Sequence, residues 1–293
     1  MSTRKWTAAA LAALLGLCVL LAVVAVPRTP AAQTADVAIL MYHAFTEDEA
    51  DTGSLYTPAS DFARQLSALR NAGYTSVGYA DLIEFVNGEG KLPEKPLLIS
   101  IDDGYQNNLD LAAPLLETYG FCANIAVIGV SIGRTTYKDT DIPITPHFSL
   151  EDARPWIERG VLTVTTHSYD MHQVAAVDGA GCRRGVLQMP GEAESDYIAA
   201  LTQDYTRAQE QLAGLPGTPL PVFTYPFGAY SELSERVLQE LGVQVTVTTE
   251  GGANRLVKGE PETLRLLHRI HVWRGTKPDM LLSRIDAALQ ALR

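Results

Sequence analysis

The sequence predicts an α/β fold, and within that class a distorted (β/α) barrel with about seven parallel strands. Short apolar runs rich in β-branched residues alternate with amphipathic stretches, a pattern typical of parallel strands joined by outer helices. Several of the apolar runs end in acidic or histidine residues, and barrels collect such side chains at the carboxyl ends of their strands. A hydrophobic fraction of 46% is sufficient for a large core.

The individual elements follow from hydrophobic periodicity in chain order. The predicted strands comprise residues 37–42, 96–101, 123–128, 161–166, 222–225, 243–248 and 266–272. The predicted helices comprise residues 59–72, 80–86, 109–119, 150–159, 192–213, 231–241 and 278–292. Ser149 is a residue type that caps a helix N-terminus, and Gly242 is a type that ends a helix. With no internal repeat and no second composition regime, one folded domain is expected.

The N-terminal region predicts the location of the protein. Residues 6–26 are uncharged, rich in Ala, Leu and Val, and directly follow Arg4 and Lys5. A run of this length can span a bilayer, and the preceding positive charges favour an N-terminus inside the cell. We therefore expect a signal anchor at 1–26, a linker at 27–36 and an extracytoplasmic domain at 37–293. A cleaved signal peptide, and hence a secreted protein, is the alternative.

The charge balance restricts the partners. The chain has 34 acidic and 23 basic residues, a formal net charge of −11, and no basic run longer than Arg183-Arg184. Nucleic acid is therefore excluded as a partner, because it requires clustered Lys and Arg. We expect a monomer. The spacing of Cys122 and Cys182 leaves open whether they pair.

Two segments place metal-ligand residues directly after apolar runs. The first offers the adjacent carboxylates Asp102 and Asp103, and the second offers the imidazoles His167 and His172. Two imidazoles and one carboxylate suit a borderline divalent cation such as zinc, with one coordination position left for water. The other carboxylate is then available as a general base. This pattern indicates metal-assisted hydrolysis.

The spacing of these residues predicts that they lie at strand ends. Side chains alternate across a strand, so Asp102 and Asp103 can face one site only where the strand stops, and Gly104 permits a sharp turn there. The two histidines are five residues apart, which puts them on opposite faces of a strand or about 140° apart around a helix. We therefore place His167 at a strand end and His172 in the loop that follows.

The order of three motifs resembles that of the NodB-homology polysaccharide deacetylases, carbohydrate esterase family four. The first motif is Ser-Ile-Asp-Asp-Gly at 100–104, the second is His167 followed by His172, and the third is Tyr-Pro-Phe-Gly at 225–228. The resemblance extends from residue 39 to the C-terminal helix. The five-residue step between the histidines is most similar to the poly-N-acetylglucosamine deacetylase branch.

The resemblance implies a role for each motif residue. Asp103, His167 and His172 would bind a divalent metal, with Zn²⁺ expected and Co²⁺ or Ni²⁺ as alternatives. Asp102 would be the general base, and the backbone N–H of Phe227 would help to hold the oxyanion. The metal would polarise the acetyl carbonyl and acidify the attacking water, the base would take the proton of that water, and an acid would protonate the leaving amine.

The chain departs from the family pattern in two ways. Thr224 stands where the third motif usually has an Arg that orients the base, and no acidic-Trp fourth motif is present. Another group is therefore expected to hold the base, or catalysis is expected to be weak. The family's late Leu-x-His strand, which supplies the general acid, is matched by residues 266–271. Alternation puts His268 and His271 on opposite faces, and we favour His271 as the acid, with His268 and His43 as alternatives.

The sequence thus predicts a metal-dependent deacetylase that acts on the N-acetyl groups of a cell-envelope or extracellular aminosugar polymer. One alternative is a carbohydrate-binding protein on the same fold that keeps the metal pocket without turnover. The missing Arg favours this alternative, and the intact Asp102 argues against it. The other alternative is a metal-dependent hydrolase of a different small amide or ester.

Overall fold

The structure is a computed structural model that describes residues 33–48, 53, 55–217 and 219–293. The predicted signal anchor at 1–26 lies outside the described residues. Residues 34–36, at the end of the predicted linker, belong to the first strand. Within the described ranges no helix is both long and apolar enough to cross a membrane. Cys122 and Cys182 are both free thiols.

Strands and helices alternate along most of the chain. The strands are β1 (Thr34–Tyr42), β2 (Ala44–Thr46), β3 (Tyr56–Pro58), β4 (Thr75–Ser76), β5 (Pro96–Asp103), β6 (Ala123–Val127), β7 (Leu162–Thr166), β8 (Val222–Thr224), β9 (Val245–Val247), β10 (Ala253–Val257) and β11 (Ile270–His271). The α-helices are α1 (Ala59–Asn71), α2 (Tyr79–Asn87), α3 (Ala113–Tyr119), α4 (Leu150–Glu158), α5 (Ala175–Asp178), α6 (Glu194–Leu212), α7 (Glu232–Glu240) and α8 (Pro278–Gln290). A π-helical turn, Asn108–Ala112, leads into α3.

The main sheet is curled and mostly parallel. Its strands follow the order β10-β1-β5-β6-β7-β8-β9, and only β10 is antiparallel to its neighbour. β11 pairs with the later part of β1, and Leu267 bridges to Val247 in β9. The segment around β11 therefore bridges from β9, at one end of the sheet, to β1, next to the other end. The predicted distorted (β/α) barrel is confirmed.

The differences from the predicted elements are local. The strand predicted at 266–272 is reduced to β11, because Leu266 has a φ of 53° and interrupts the extended backbone. β10 was not predicted, since its five residues include the exposed polar side chain of Arg255 and form no long apolar run. The other missed elements, β2, β3, β4 and α5, have two to four residues each and are too short to show a period.

Alternation along β5 determines which residues reach the site. Leu97 and Ile99 pack with residues of α1, α3 and α4, on the outer face. Leu98 packs instead with residues of β8, β9, β10 and α2. Because β6 and β7 separate β5 from β8 in the sheet, this second face is the concave one. Ser100 and Asp102 lie two and four residues after Leu98. Because side chains alternate along a strand, they also lie on the concave face.

Candidate active site

The first motif lies where the regular alternation of β5 stops. Asp102 is on the concave face, and Asp103 has a φ of 75°, in the left-handed region that few non-glycine residues adopt. Gly104 follows with a φ of 84°, and a Cβ atom at this position would lie 2.8 Å from Cγ1 of Val127. The turn therefore requires glycine, and it allows two successive carboxylates to reach one site.

Asp102 is paired with a buried arginine that the sequence analysis did not identify. Arg269 donates hydrogen bonds from Nη1 to Oδ1 of Asp102 at 2.7 Å and from Nη2 to Oδ2 at 2.8 Å. Its Nη1 also donates to Oγ of Ser100, and its Nε donates to the Thr248 carbonyl. Burial by itself would raise the pKa of Asp102, but the charge and hydrogen bonds of Arg269 outweigh it and hold that pKa well below its usual range.

Arg269 supplies the positive charge that the family pattern would place at residue 224. Alternation in the sequence could have identified Arg269 as a site residue. It lies two residues before His271, so in an extended segment the two side chains share a face. An arginine inside an apolar, strand-like run is rarely buried unless it is paired. Thr224 has another role, because its carbonyl accepts a hydrogen bond from Nδ1 of His167 at 2.8 Å.

Asp103, His167 and His172 converge as the sequence predicts. Oδ1 of Asp103 is 3.8 Å from Nε2 of His167 and 3.6 Å from Nε2 of His172. The three ligand atoms lie within 4.8 Å of one another. His167 directly follows β7, and His172 lies in the connection after it. Among the residues that the structure describes, no other group of three His, Cys, Asp or Glu side chains could hold a metal ion in this way.

This set of donor atoms fits a divalent cation. Oδ1 of Asp103 is buried and makes no hydrogen bond within the described part of the chain, although leaving such an oxygen unpaired is costly. The hydrogen bond to Thr224 places the proton of neutral His167 on Nδ1, so Nε2 is free to bind a metal. Burial lowers the pKa of His167 to about 4, which keeps the ring neutral, as a metal ligand must be.

Two of the three candidate proton donors lie near Asp102. Nε2 of His43 is 3.9 Å from Oδ2 of Asp102, and the ring centroids of His43 and His271 are 5.8 Å apart. Nε2 of His271 is buried without a hydrogen bond to any described residue, and burial is the main cause that lowers the pKa of this ring. His268 lies instead 3.5 Å from Oε2 of Glu250, with 42% of its side chain exposed.

Phe227, the predicted oxyanion residue, lies beside the metal-binding set. Its ring centroid is 4.2 Å from that of His172. Its φ is 59°, and Ser168, directly after His167, has a φ of 73°. Asp103 ends β5, Ser168 follows β7 and Phe227 follows β8. A non-glycine residue with left-handed backbone therefore lies at or after the end of each of these three strands. These three turns bring the three motifs to the same end of the barrel.

An ionised carboxylate beside a set of residues that can bind a divalent cation is suited to metal-assisted hydrolysis. Fold and site together define a barrel hydrolase with its chemistry at the carboxyl ends of the strands. The family model for polysaccharide deacetylases matches residues 89–246, which is more than half of the chain. The chain belongs to this family, whose members are hydrolases that act on amide bonds. The resemblance to the NodB-homology deacetylases is thereby confirmed.

Individual relatives agree with this assignment. YxkH of Bacillus subtilis (strain 168), named as a polysaccharide deacetylase, is 26% identical over 255 residues, which cover 87% of this chain and 76% of that protein. The poly-β-1,6-N-acetyl-D-glucosamine N-deacetylase of Escherichia coli (strain K12) is 22% identical over 226 residues, covering 73% of this chain and 34% of that enzyme. This chain thus spans about a third of the E. coli enzyme's length. A solved de-N-acetylase structure from Aggregatibacter actinomycetemcomitans shares the fold, with a TM-score of 0.71, 18% identity, and coverage of 85% of this chain and 100% of that chain.

Proposed function

We propose that this chain is a metal-dependent deacetylase that removes N-acetyl groups from an aminosugar polymer outside the cytoplasm. The observation that carries the proposal is the convergence of Asp103, His167 and His172 as a metal-binding set, with Asp102 beside it as an ionised carboxylate. The E. coli relative supports the substrate class, because its name specifies a polymer of N-acetylglucosamine.

The proposed chemistry divides the work among the motif residues. Asp103, His167 and His172 would hold a divalent cation, Zn²⁺ in the proposal with Co²⁺ and Ni²⁺ as alternatives. When bound, it would supply Lewis acidity to the acetyl carbonyl and to the attacking water. Asp102 accepts the proton of the attacking water, as a general base. The backbone N–H of Phe227 stabilises the oxyanion.

Arg269 positions the base and keeps it charged. Two parallel hydrogen bonds fix the plane of the Asp102 carboxylate, which is the particular strength of an arginine partner. The same pairing keeps Asp102 ionised far into the acid range, so loss of activity at low pH is expected to come from the histidines. The alternative of a carbohydrate-binding protein without turnover was based on the missing Arg of the third motif. Because the guanidinium of Arg269 orients Asp102 instead, this argument no longer supports that alternative.

The proton for the leaving amine is proposed to come from a histidine beside Asp102. The sequence favours His271, and this choice stays a prediction. The geometry favours His43, because its Nε2 is 3.9 Å from the base carboxylate, whereas burial lowers the pKa of His271 and weakens its hold on a proton. In the proposed mechanism His43 is therefore the donor and His271 the alternative.

The proposed activity is tested by acetate release from N-acetylated glucosamine polymers and from a small aryl acetate. We expect release from the polymer that is lost with a chelator and restored by Zn²⁺. Turnover of the aryl acetate alone would favour a hydrolase of another small substrate. Polymer binding without acetate release would favour the carbohydrate-binding alternative.

We also propose that residues 1–26 anchor the enzyme in the membrane with its catalytic domain outside the cytoplasm. The apolar run at 6–26 after Arg4 and Lys5 supports this. The protein is expected in the membrane fraction with an N-terminal tag intact. Mature protein found only in the medium, beginning between residues 27 and 36, would show that the segment is a cleaved signal peptide.

A further inference from the structure

His172 is the member of the metal-binding set that the strands hold least directly. Asp103 ends β5, and His167 directly follows β7, where its Nδ1 also donates to the Thr224 carbonyl. His172 comes five residues after His167 and lies outside every strand and helix. Its position therefore depends on the connection between the two histidines, which consists of residues 168–171.

The backbone of this connection is closely bound to its surroundings. The backbone N–H of Gly129 donates to the Ser168 carbonyl at 3.0 Å. A Cβ atom on Gly129 would lie 2.7 Å from Cδ2 of Tyr169, so this close approach requires glycine. The Met171 N–H donates to Oγ of Ser168. The N–H groups of Tyr169 and Asp170, in the middle of the connection, need partners of their own.

A single carboxylate satisfies both of these N–H groups. The Tyr169 N–H donates to Oδ1 of Asp204 at 2.9 Å, and the Asp170 N–H donates to Oδ2 of the same side chain at 2.7 Å. Successive backbone N–H groups of this kind form a concave site for an anion. Here the chain fills that site with its own carboxylate, which comes from α6.

Asp204 lies on the side of α6 that faces the interior. Leu201, Tyr205 and Ala208 are buried at helical spacing around it. Asp204 is only 7% exposed, and burial raises its pKa to about 6. Burying a carboxylate costs free energy unless partners compensate for the lost water, and its two oxygens find those partners in the connection. Holding the connection therefore explains an acidic residue at this position.

We propose that Asp204 is a positioning residue for the metal-binding set, which fixes residues 168–171 so that Nε2 of His172 is in place before the metal binds. In the structure this nitrogen already lies 3.6 Å from Oδ1 of Asp103. The inference rests on the proposed metal-dependent function. It adds a residue outside the three motifs that determines how tightly the metal is held.

The first test measures the Zn²⁺ affinity of the metal-free chain by competition with a chromophoric chelator at pH 8, above the pKa of Asp204. Asp204→Asn preserves the size of the side chain but turns an NH₂ group toward a backbone N–H. We expect about 10–100-fold weaker binding, the usual range for a lost outer partner of a metal ligand. Asp36→Asn is the matched control, because Asp36 also accepts two hydrogen bonds but lies at the amino end of β1. It should leave the affinity unchanged.

A double-mutant cycle with His172→Ala separates positioning from a general loss of structure. If Asp204 acts through His172, Asp204→Asn should change the affinity of the His172→Ala chain by less than about twofold. A purely structural role would instead lower the free energy of unfolding of the metal-free chain and leave the Zn²⁺ affinity of the folded molecules unchanged. Urea unfolding of the same variants measures that free energy.

Hydrogen–deuterium exchange of the metal-free wild-type chain tests the inference without a substitution. The amides of Tyr169 and Asp170 should be protected before Zn²⁺ is added, and rapid exchange of both would overturn the inference even if Asp204→Asn does not fold. Equal Zn²⁺ affinity of the wild-type and Asp204→Asn chains would also overturn it, as would an undiminished loss in the His172→Ala background. A wild-type chain that binds no Zn²⁺ would instead refute the proposed metal-dependent function, and the inference with it.

Discussion

Asp102 and Asp103 are neighbours in the sequence, but their surroundings are opposite. Both oxygens of Asp102 accept hydrogen bonds from Arg269, so the chain itself satisfies this carboxylate. Oδ1 of Asp103 is buried without a hydrogen bond to the described residues and lies near two imidazoles. The comparison shows how one residue type acquires two functions: a carboxylate with internal partners is held in place as a base, and a carboxylate without them is available to a cation.

The largest expected effect comes from exchanging each carboxylate for an amide. Asp102→Asn should retain bound metal and lose roughly 10²–10⁴ of the rate, the usual contribution of a general base. Asp103→Asn should lose metal affinity first, because it weakens a ligand and removes a negative charge beside the cation. Bound metal and acetate release are measured on both variants, with and without excess metal.

Excess metal is expected to restore part of the activity of Asp103→Asn and none of that of Asp102→Asn. Loss of metal from Asp102→Asn with retention by Asp103→Asn would reverse the two roles. Full activity in both variants would show that this Asp-Asp-Gly is only a turn.

The next effect concerns stability on the Asp102 side. Arg269→Met leaves a buried charge without its partner and should lower the free energy of unfolding by about 3–5 kcal/mol. Combining it with Asp102→Asn should recover much of this loss without restoring activity. Urea unfolding of the single and double variants measures both effects.

Arg255 provides a control, because it donates two hydrogen bonds to Asp36 at the amino end of β1, opposite to the strand ends that carry the site. Arg255→Met should preserve the rate per folded molecule. A double variant no more stable than Arg269→Met alone would contradict the view that Asp102 and Arg269 form one coupled unit.

A third comparison separates the two histidines near Asp102. His43→Gln should lower kcat by roughly 10²-fold, the lower end of the range for proton transfer by a positioned side chain, because it removes the proposed donor. His271→Gln should have a smaller effect, since burial already disfavours its protonated form. The pH dependence of kcat is measured for both. A larger loss in His271→Gln, with removal of the alkaline limb, would assign the proton to His271.

The smallest effect is a pH dependence of stability on the Asp103 side. The pKa of His167 is about 4 in the folded chain and about 6.5 in an unfolded one. Between these values the unfolded state binds a proton that the folded state does not, so the metal-free protein should lose stability as pH falls from 6.5 to 4. His167→Gln should show a shallower decline in urea unfolding, and equal slopes would contradict the assigned shift.

The barrel could be predicted because its strands are regular over several residues. β1, β5, β6 and β7 have five or more residues each and are rich in apolar or β-branched side chains, and this pattern is visible in the sequence. β10 and β11 were missed or overextended because their pairing with β1 is determined by the closure of the sheet, which local periodicity does not contain.

The metal-binding set could be predicted for a similar reason. Asp103 ends β5, His167 and His172 follow β7, and parallel strands place their carboxyl ends together. The partner of Asp102 could not be predicted in this way, because Arg269 lies 167 residues further along the chain and reaches the base across the concave face.

The left-handed backbone at Asp103, Ser168 and Phe227 has a consequence for engineering. Non-glycine residues in this region cost on the order of 1–2 kcal/mol each, with the smaller values for Asp and Asn. Directed evolution for heat resistance alone would therefore favour glycine or asparagine at these three positions. The most heat-resistant clones would include proteins that have lost a metal ligand. A thermostability campaign on this chain therefore requires an activity screen in every round.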